Sequence, residues 1–127
     1  MTGLGKKIKI LVVDDEDIVR IALEEYLKDE GFDVFSSVSG EEALEIIKNK
    51  IMDIGIIDMR LPGIDGNSLI IEAKKINPDM KFVVHTGSMG YSIPKSLLEI
   101  GITESLVFKK PISDINFFVK TLKTLLK

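Results

Sequence analysis

Ile8-Lys9-Ile10-Leu11-Val12-Val13-Asp14-Asp15 decides the fold of this chain: a short apolar run, rich in β-branched residues, that stops on two acids. A run of this kind predicts a buried strand, because a central parallel strand is covered on both faces and loses strict alternation. The next segment has a different period. A helix is expected from about Ile18, with Val19, Leu23, Tyr26 and Leu27 on one stripe, Gly31 as its stop and Asp17 placed to cap it. Strand, acidic tip and amphipathic helix make one βα unit.

Outward from that unit the plan recurs. Asp33 to Val38 reads as a second strand and Ser39-Gly40 as a turn, with Ala43, Leu44 and Ile47 lining a second helix. Asp53 to Asp58 holds Ile54-Gly55-Ile56-Ile57, a third strand again closed by an acid. Leu61-Pro62-Gly63-Ile64-Asp65-Gly66 is a loop, since it joins a helix breaker to two glycines. Leu69, Ala73 and Ile76 give a third helix, which Asn77-Pro78 ends. Lys81 to His85, ending at Thr86-Gly87, is the fourth strand, and Ser105 to Phe108 the fifth. Between them a helix is expected from near Ile93, with Pro94 in its first turn, to Gly101. Ile115, Phe118, Val119, Leu122, Leu125 and Leu126 line the last helix. Strands alternating with helical periods predict an α/β fold: a doubly wound (βα)5 unit, one five-stranded parallel sheet with helices on both faces.

A chain of 127 residues, 45% hydrophobic and 29% charged, fits one globular domain. Cys is absent, which removes disulfides, thiolate metal sites and cysteine nucleophiles. No apolar stretch is long enough to span a bilayer, and the lysines near the N-terminus are followed by no signal-peptide core. A net charge of −3 gives no general attraction to nucleic acid, and an intracellular compartment is expected.

Three strands end in residues able to do chemistry: Asp14-Asp15, Asp58 and Thr86. Ligands of an open parallel sheet bind beyond the carboxyl ends of its strands, so these distant residues are expected to share one pocket. Acids at strand ends often do no more than cap the next helix; three acids on two strands make that explanation less economical. Gathered carboxylates repel unless a cation lies among them. With only oxygen donors at hand, that cation is Mg²⁺ or a similar ion such as Mn²⁺. Phe108-Lys109-Lys110-Pro111 at the end of the fifth strand supplies ammonium groups to offset the acids. His85, the only histidine, is inside a strand and is read as a packing residue.

These residues together resemble the receiver domain of bacterial response regulators. The match runs through Leu11-Val12-Val13-Asp14-Asp15-Glu16, then Asp58-Met59-Arg60-Leu61-Pro62-Gly63-Ile64-Asp65-Gly66, then His85-Thr86-Gly87, then Lys110-Pro111. It covers essentially the whole chain, and the central stretch is most similar to receivers of nitrogen-regulator-type activators. The resemblance implies a flavodoxin-like sheet of strand order 2-1-3-4-5, with residues 1–6 as an N-terminal extension and 7–127 as the receiver domain. It makes Asp58 the phosphoacceptor. Asp15 would bind the metal directly, Asp14 mostly through a metal-bound water, and the Arg60 backbone carbonyl would be a further ligand. Thr86 would hydrogen-bond a phosphoryl oxygen and Lys110 would form an ion pair with it. Lys110 is preferred to Lys109 because the family lysine directly precedes proline, in a bond often cis.

The resemblance further implies a cytoplasmic phosphorelay component rather than a turnover enzyme, catalysing only its own phosphorylation and dephosphorylation. Its donor would be a sensor histidine kinase or a histidine phosphotransfer protein. Output would pass to another domain or an effector protein, with no direct nucleic-acid or membrane binding and with homodimers common in the family. The sequence departs from the family at Val107, where an aromatic side chain often reports activation, and in a slightly longer stretch from Thr86 to Lys110. The Arg60 side chain is also placed to influence acyl-phosphate lifetime. Three other functions compete. A haloacid-dehalogenase-type phosphatase needs an acid two residues after its nucleophile, where this chain has Arg60. A flavin or nucleotide binder needs a phosphate-cradling loop after the first strand, where this chain has Asp14-Asp15-Glu16-Asp17. A pseudo-receiver would lack the acid set.

Overall fold

A computed structural model describes residues 7–126; the expected extension, residues 1–6, lies outside them, as does Lys127. The strands are β1 (Lys9–Val13), β2 (Asp33–Ser37), β3 (Ile54–Ile57), β4 (Lys81–Thr86) and β5 (Val107–Lys109). The helices are α1 (Asp17–Asp29), α2 (Gly40–Asn49), α3 (Gly66–Ile76), α4 (Lys95–Glu99) and α5 (Ile115–Thr124). All strand pairs are parallel, in the order β2-β1-β3-β4-β5. The expected α/β class and strand order both hold.

Alternate residues of the strands feed two cores. Leu11, Val13, Ile57, Phe82 and Val84 pack against Ala43, Ile47, Leu69, Ile70, Ala73 and Leu97, which belong to α2, α3 and α4. Ile10, Val12, Ile54, Ile56 and Val83 pack on the other face against Leu23 and Leu27 of α1 and Phe118, Val119 and Leu122 of α5. Both faces of β1 and β3 are therefore dry, which is why their sequences read as unbroken apolar runs.

Several boundaries differ from the sequence reading, each for a local reason. Asp17 is not the cap of α1: Glu16 holds that position without a side-chain bond, while Asp17 opens the helix and pairs with Arg20 at 2.8 Å. Pro94 is not inside the first turn of α4 but caps it, its extended backbone (ψ 151°) aiming the carbonyl at the amides of Leu97 and Leu98. Gly101, at φ +99°, follows the short helix as expected, in a conformation that favours glycine. The fifth strand starts at Val107 rather than Ser105, because Glu104–Leu106 closes a 3-10 turn in which the Leu106 amide donates to the Thr103 carbonyl at 2.9 Å.

Candidate functional site

The sheet ladder carries the acids to one edge. Beyond the last paired residues, the Asp14 amide donates to the Ser37 carbonyl (3.2 Å) and the Asp58 amide to the Val13 carbonyl (3.0 Å). Both acids thus inherit the backbone positions of buried strands, and they are 2% and 4% exposed. The Lys110 amide donates to the Thr86 carbonyl at 2.8 Å, which fixes the lysine at the tip of β5 beside β4. The Lys110–Pro111 bond is cis.

The loop after Asp58 is held just as firmly. The Ile64 amide donates to the Glu41 carboxylate of α2 at 3.0 Å, and Asp65 caps α3 by accepting from the Ser68 amide at 2.8 Å. Gly66 is required there by space: a Cβ would collide with the Asp58 carbonyl oxygen and with Met59. The stretch between Asp58 and Gly66 is therefore a rigid wall beside the acid.

Lys110 is the centre of the constellation. Its Nζ is 2.9 Å from Asp14 Oδ2, 2.9 Å from Glu16 Oε1 and 3.4 Å from Asp58 Oδ2. The other oxygens of the buried acids take backbone amides, Glu16 to Asp14 Oδ1 at 2.9 Å and Arg60 to Asp58 Oδ1 at 3.2 Å. Burial pushes the Asp58 carboxyl up to about 6, with the Asp14 charge adding to the effect; the Arg60 amide and the Lys110 ammonium pull the other way. Burial alone would lower Lys110, but hydrogen bonds to Glu16 and Asp14 and the neighbouring charges hold it well above the usual lysine value. The lysine is charged at any physiological pH.

Asp58, Glu16 and Lys110 open onto a hollow of about 360 Å³ that is also lined by Asp15, Arg60, Gly87 and Ser88. One carboxylate oxygen from each of Asp14, Glu16 and Asp58 falls within a 4.8 Å group. An all-oxygen set of this charge fits a hard divalent cation and suits no softer metal. Of the residues predicted from sequence, Lys110 contacts both Asp14 and Asp58. Asp15 and Arg60 are at the rim of the hollow. Thr86 is buried at the tip of β4, its Oγ1 accepting from the Ser88 amide at 3.1 Å.

Glu16 was missed as a site residue. Its signal was only its place directly after the acid pair; nothing in the pattern said that its side chain would reach the lysine of β5, 94 positions away. Lys109 points away from the acids, donating to the Ser88 carbonyl at 2.9 Å. Tyr91 was also missed; its hydroxyl donates to Asn67 Oδ1 of α3 at 3.0 Å and ties down the loop that follows Thr86. His85 packs as expected, 6.5 Å from the Phe118 ring, and burial pushes it down to about 4, so the imidazole is neutral. Val107 packs on the α3–α4 side of the sheet and Phe108 on the α5 side, so Phe108 does not substitute for an aromatic residue at 107.

An open parallel sheet that gathers two buried acids, an ammonium and a cluster of carboxylate oxygens at its carboxyl edge is the kind of site that suits a divalent cation beside an anionic group. The sequence profile of the response regulator receiver domain matches residues 10–121, and the chain belongs to that family. It is a receiver domain of two-component signalling, a family that binds Mg²⁺ through acidic residues. Sporulation initiation phosphotransferase F of Bacillus subtilis (strain 168) is 35% identical over 78 residues, 61% of this chain and 63% of that protein. A cyclic di-GMP phosphodiesterase of Thermotoga maritima is 35% identical over 104 residues, 82% of this chain but 27% of that protein. The chain thus spans less than two thirds of either relative's length. A chain in the crystal structure of histidine kinase ThkA in complex with response regulator protein TrrA is 30% identical. It superposes with a TM-score of 0.81, covering 94% of this chain and 99% of that one. No helix among the described residues is long and apolar enough to cross a membrane.

Proposed function

We propose that Asp58 is the phosphoacceptor and that residues 7–127 form the receiver unit of a cytoplasmic phosphorelay. The observation that carries this reading is the Lys110 ammonium, drawn between Asp14 and Asp58 from a different strand tip than either. In the step itself a carboxylate oxygen of Asp58 attacks phosphorus in line. The P–N bond of a phosphohistidine, or the P–O bond of a small acyl phosphate, breaks as the aspartyl P–O bond forms. The leaving imidazole or carboxylate departs with the electron pair.

Asp15, Asp58 and the Arg60 backbone carbonyl would hold Mg²⁺ (or Mn²⁺), with Asp14 behind them. Once bound, such a cation offsets the gathered negative charge of acids and phosphoryl oxygens. Lys110 would hold one phosphoryl oxygen as a point charge, its Nζ starting 3.4 Å from Asp58 Oδ2. Thr86 takes another by donating its hydroxyl hydrogen, exchanging the rotamer in which Oγ1 accepts from the Ser88 amide for one aimed at the phosphoryl group. That exchange pulls on the loop at residues 87–94, and with it α4 and β5, a two-state element biased by local charge. The chain would also catalyse its own dephosphorylation, with the Arg60 side chain at the rim influencing the lifetime. Unchanged hydrolysis in Arg60→Ala would remove it from that role.

The donor is read as a sensor histidine kinase or a histidine phosphotransfer protein. Beside Lys110, α1 and the segment after β5 form an apolar groove of about 720 Å³ lined by Val19, Ala22, Tyr26, Pro111, Ile112 and Ile115. Ile18 at its edge is 87% exposed. A helical phosphodonor domain suits that groove. Output would pass to a further domain, an effector or a second copy of the chain, and the Asp58-to-Gly66 stretch favours receivers of nitrogen-regulator-type activators. The test is intact-mass analysis after incubation with Mg²⁺ and acetyl phosphate. The native chain should gain one phosphoryl group, suppressed by EDTA, and Asp58→Asn should gain none. A gain in both chains would put the acceptor elsewhere.

A further inference from the structure

Glu16, one of the three acids of the carboxylate cluster, has no part in the phosphoryl step above, yet its Oε1 is as close to Lys110 Nζ as Asp14 is, at 2.9 Å, and closer than Asp58 at 3.4 Å. An ammonium has three N–H donors. Two point at Asp14 and Glu16 at full hydrogen-bond length, which leaves Asp58 the longest contact of the three. The pair is not a by-product of starting α1. Glu16 is the cap residue of that helix, but its side chain takes no capping bond; its backbone amide goes to Asp14 and its carbonyl accepts from the Arg20 amide. The backbone is therefore fixed, and the side chain is free to reach across to Lys110.

We propose that Glu16 is a positioning residue that competes with the phosphoryl group for the Lys110 ammonium, and so limits how much phosphorylated form accumulates. The inference rests on the Asp58 acceptor reading. A phosphoryl dianion arriving on Asp58 needs the ammonium turned fully towards its oxygens, so the 2.9 Å bond to Glu16 must be given up. Glu16 opposes that twice, by holding the donor and by adding a negative charge to a hollow that already contains Asp14, Asp15 and Asp58. Because Glu16 is an exposed partner, the competition is modest, about three- to fivefold in affinity for the phosphoryl group.

The test uses beryllofluoride, a phosphoryl mimic, at saturating Mg²⁺, with its dissociation constant measured by calorimetry for the native chain, Glu16→Gln and Glu16→Asp. Glu16→Gln keeps the shape and loses the charge, and should bind about three- to fivefold more tightly. Glu16→Asp keeps the charge but is a methylene too short to hold the ammonium, and should also gain. A gain in affinity cannot come from damage to the fold. Unchanged or weaker binding by Glu16→Gln overturns the proposal and makes Glu16 a bystander or a cation ligand. A gain in Glu16→Gln with none in Glu16→Asp overturns it too, since the acid would then act through its field alone. A native chain that binds no beryllofluoride under these conditions refutes the acceptor reading instead.

Discussion

At the carboxyl edge of the sheet, the tips of β1 and β3 differ from β5 and the loop after β4 in how tightly they are held. Asp14 and Asp58 extend strands whose residues are buried on both faces, and the wall beside them is pinned to α2 and capped into α3. On the other side β5 is three residues long and only partly buried, and α4 is five residues long. The loop between β4 and α4 is held by a few hydrogen bonds, from Tyr91 to Asn67, from Lys109 to Ser88 and Met89 and from Ser88 to Thr86, and by partly buried Tyr91 and Ile93. One half supplies fixed charge and the other can rearrange. A phosphoryl switch needs both: acids that do not move when the charge arrives, and a neighbour whose packing is weak enough to respond.

The contrast breaks most sharply if the fixed half tolerates a cavity. Ile57 is fully buried in β3, directly before Asp58. Ile57→Ala should lower stability by about 3 to 4 kcal/mol in urea unfolding. A loss of less than about 1 kcal/mol would mean that the half carrying the acids relaxes as readily as the other.

The fixed half also stores electrostatic cost, and the pH dependence exposes it. Asp58 is raised from 3.8 to about 6 by folding, so the folded chain binds this proton more readily than the unfolded chain does. Its contribution to stability is most favourable below the unfolded value and is lost as pH rises through about 6. Asp58→Asn, measured without divalent cation, should therefore be more stable than the native chain by about 2 kcal/mol at pH 7.5. The difference should close below about pH 4. A variant less stable at neutral pH would show that the Lys110 pair outweighs burial and Asp14.

The smallest effect belongs to the looser half. Tyr91→Phe removes one hydrogen bond to Asn67 and should cost about 0.5 to 1 kcal/mol, with faster amide exchange confined to residues 87–94. Exchange that also quickened around Asp58 would mean the two halves move together.

The same contrast explains how much could be read from the sequence. Buried parallel strands write themselves as apolar runs, and a hollow at their tips writes itself as acids in phase with those runs, so β1, β3, Asp14 and Asp58 were legible. Lys110 was chosen over Lys109 through the resemblance alone, since two adjacent lysines carry no mark of which faces inward. The looser half was read less well. Pro94 constrains a helix start without saying on which side of it the helix begins, and Glu104–Leu106 has no periodicity long enough to separate a 3-10 turn from a strand end. Glu16 and Tyr91 act through contacts 94 and 24 positions away, which no local pattern encodes.

The most direct measurement is to trap the acyl phosphate and locate it. Borohydride reduces an aspartyl phosphate to homoserine, so phosphorylated chain treated with it and mapped by peptide mass spectrometry should show homoserine at position 58 and aspartate at 14 and 15. Homoserine at 14 or 15, or at no acid of the hollow, would contradict the account.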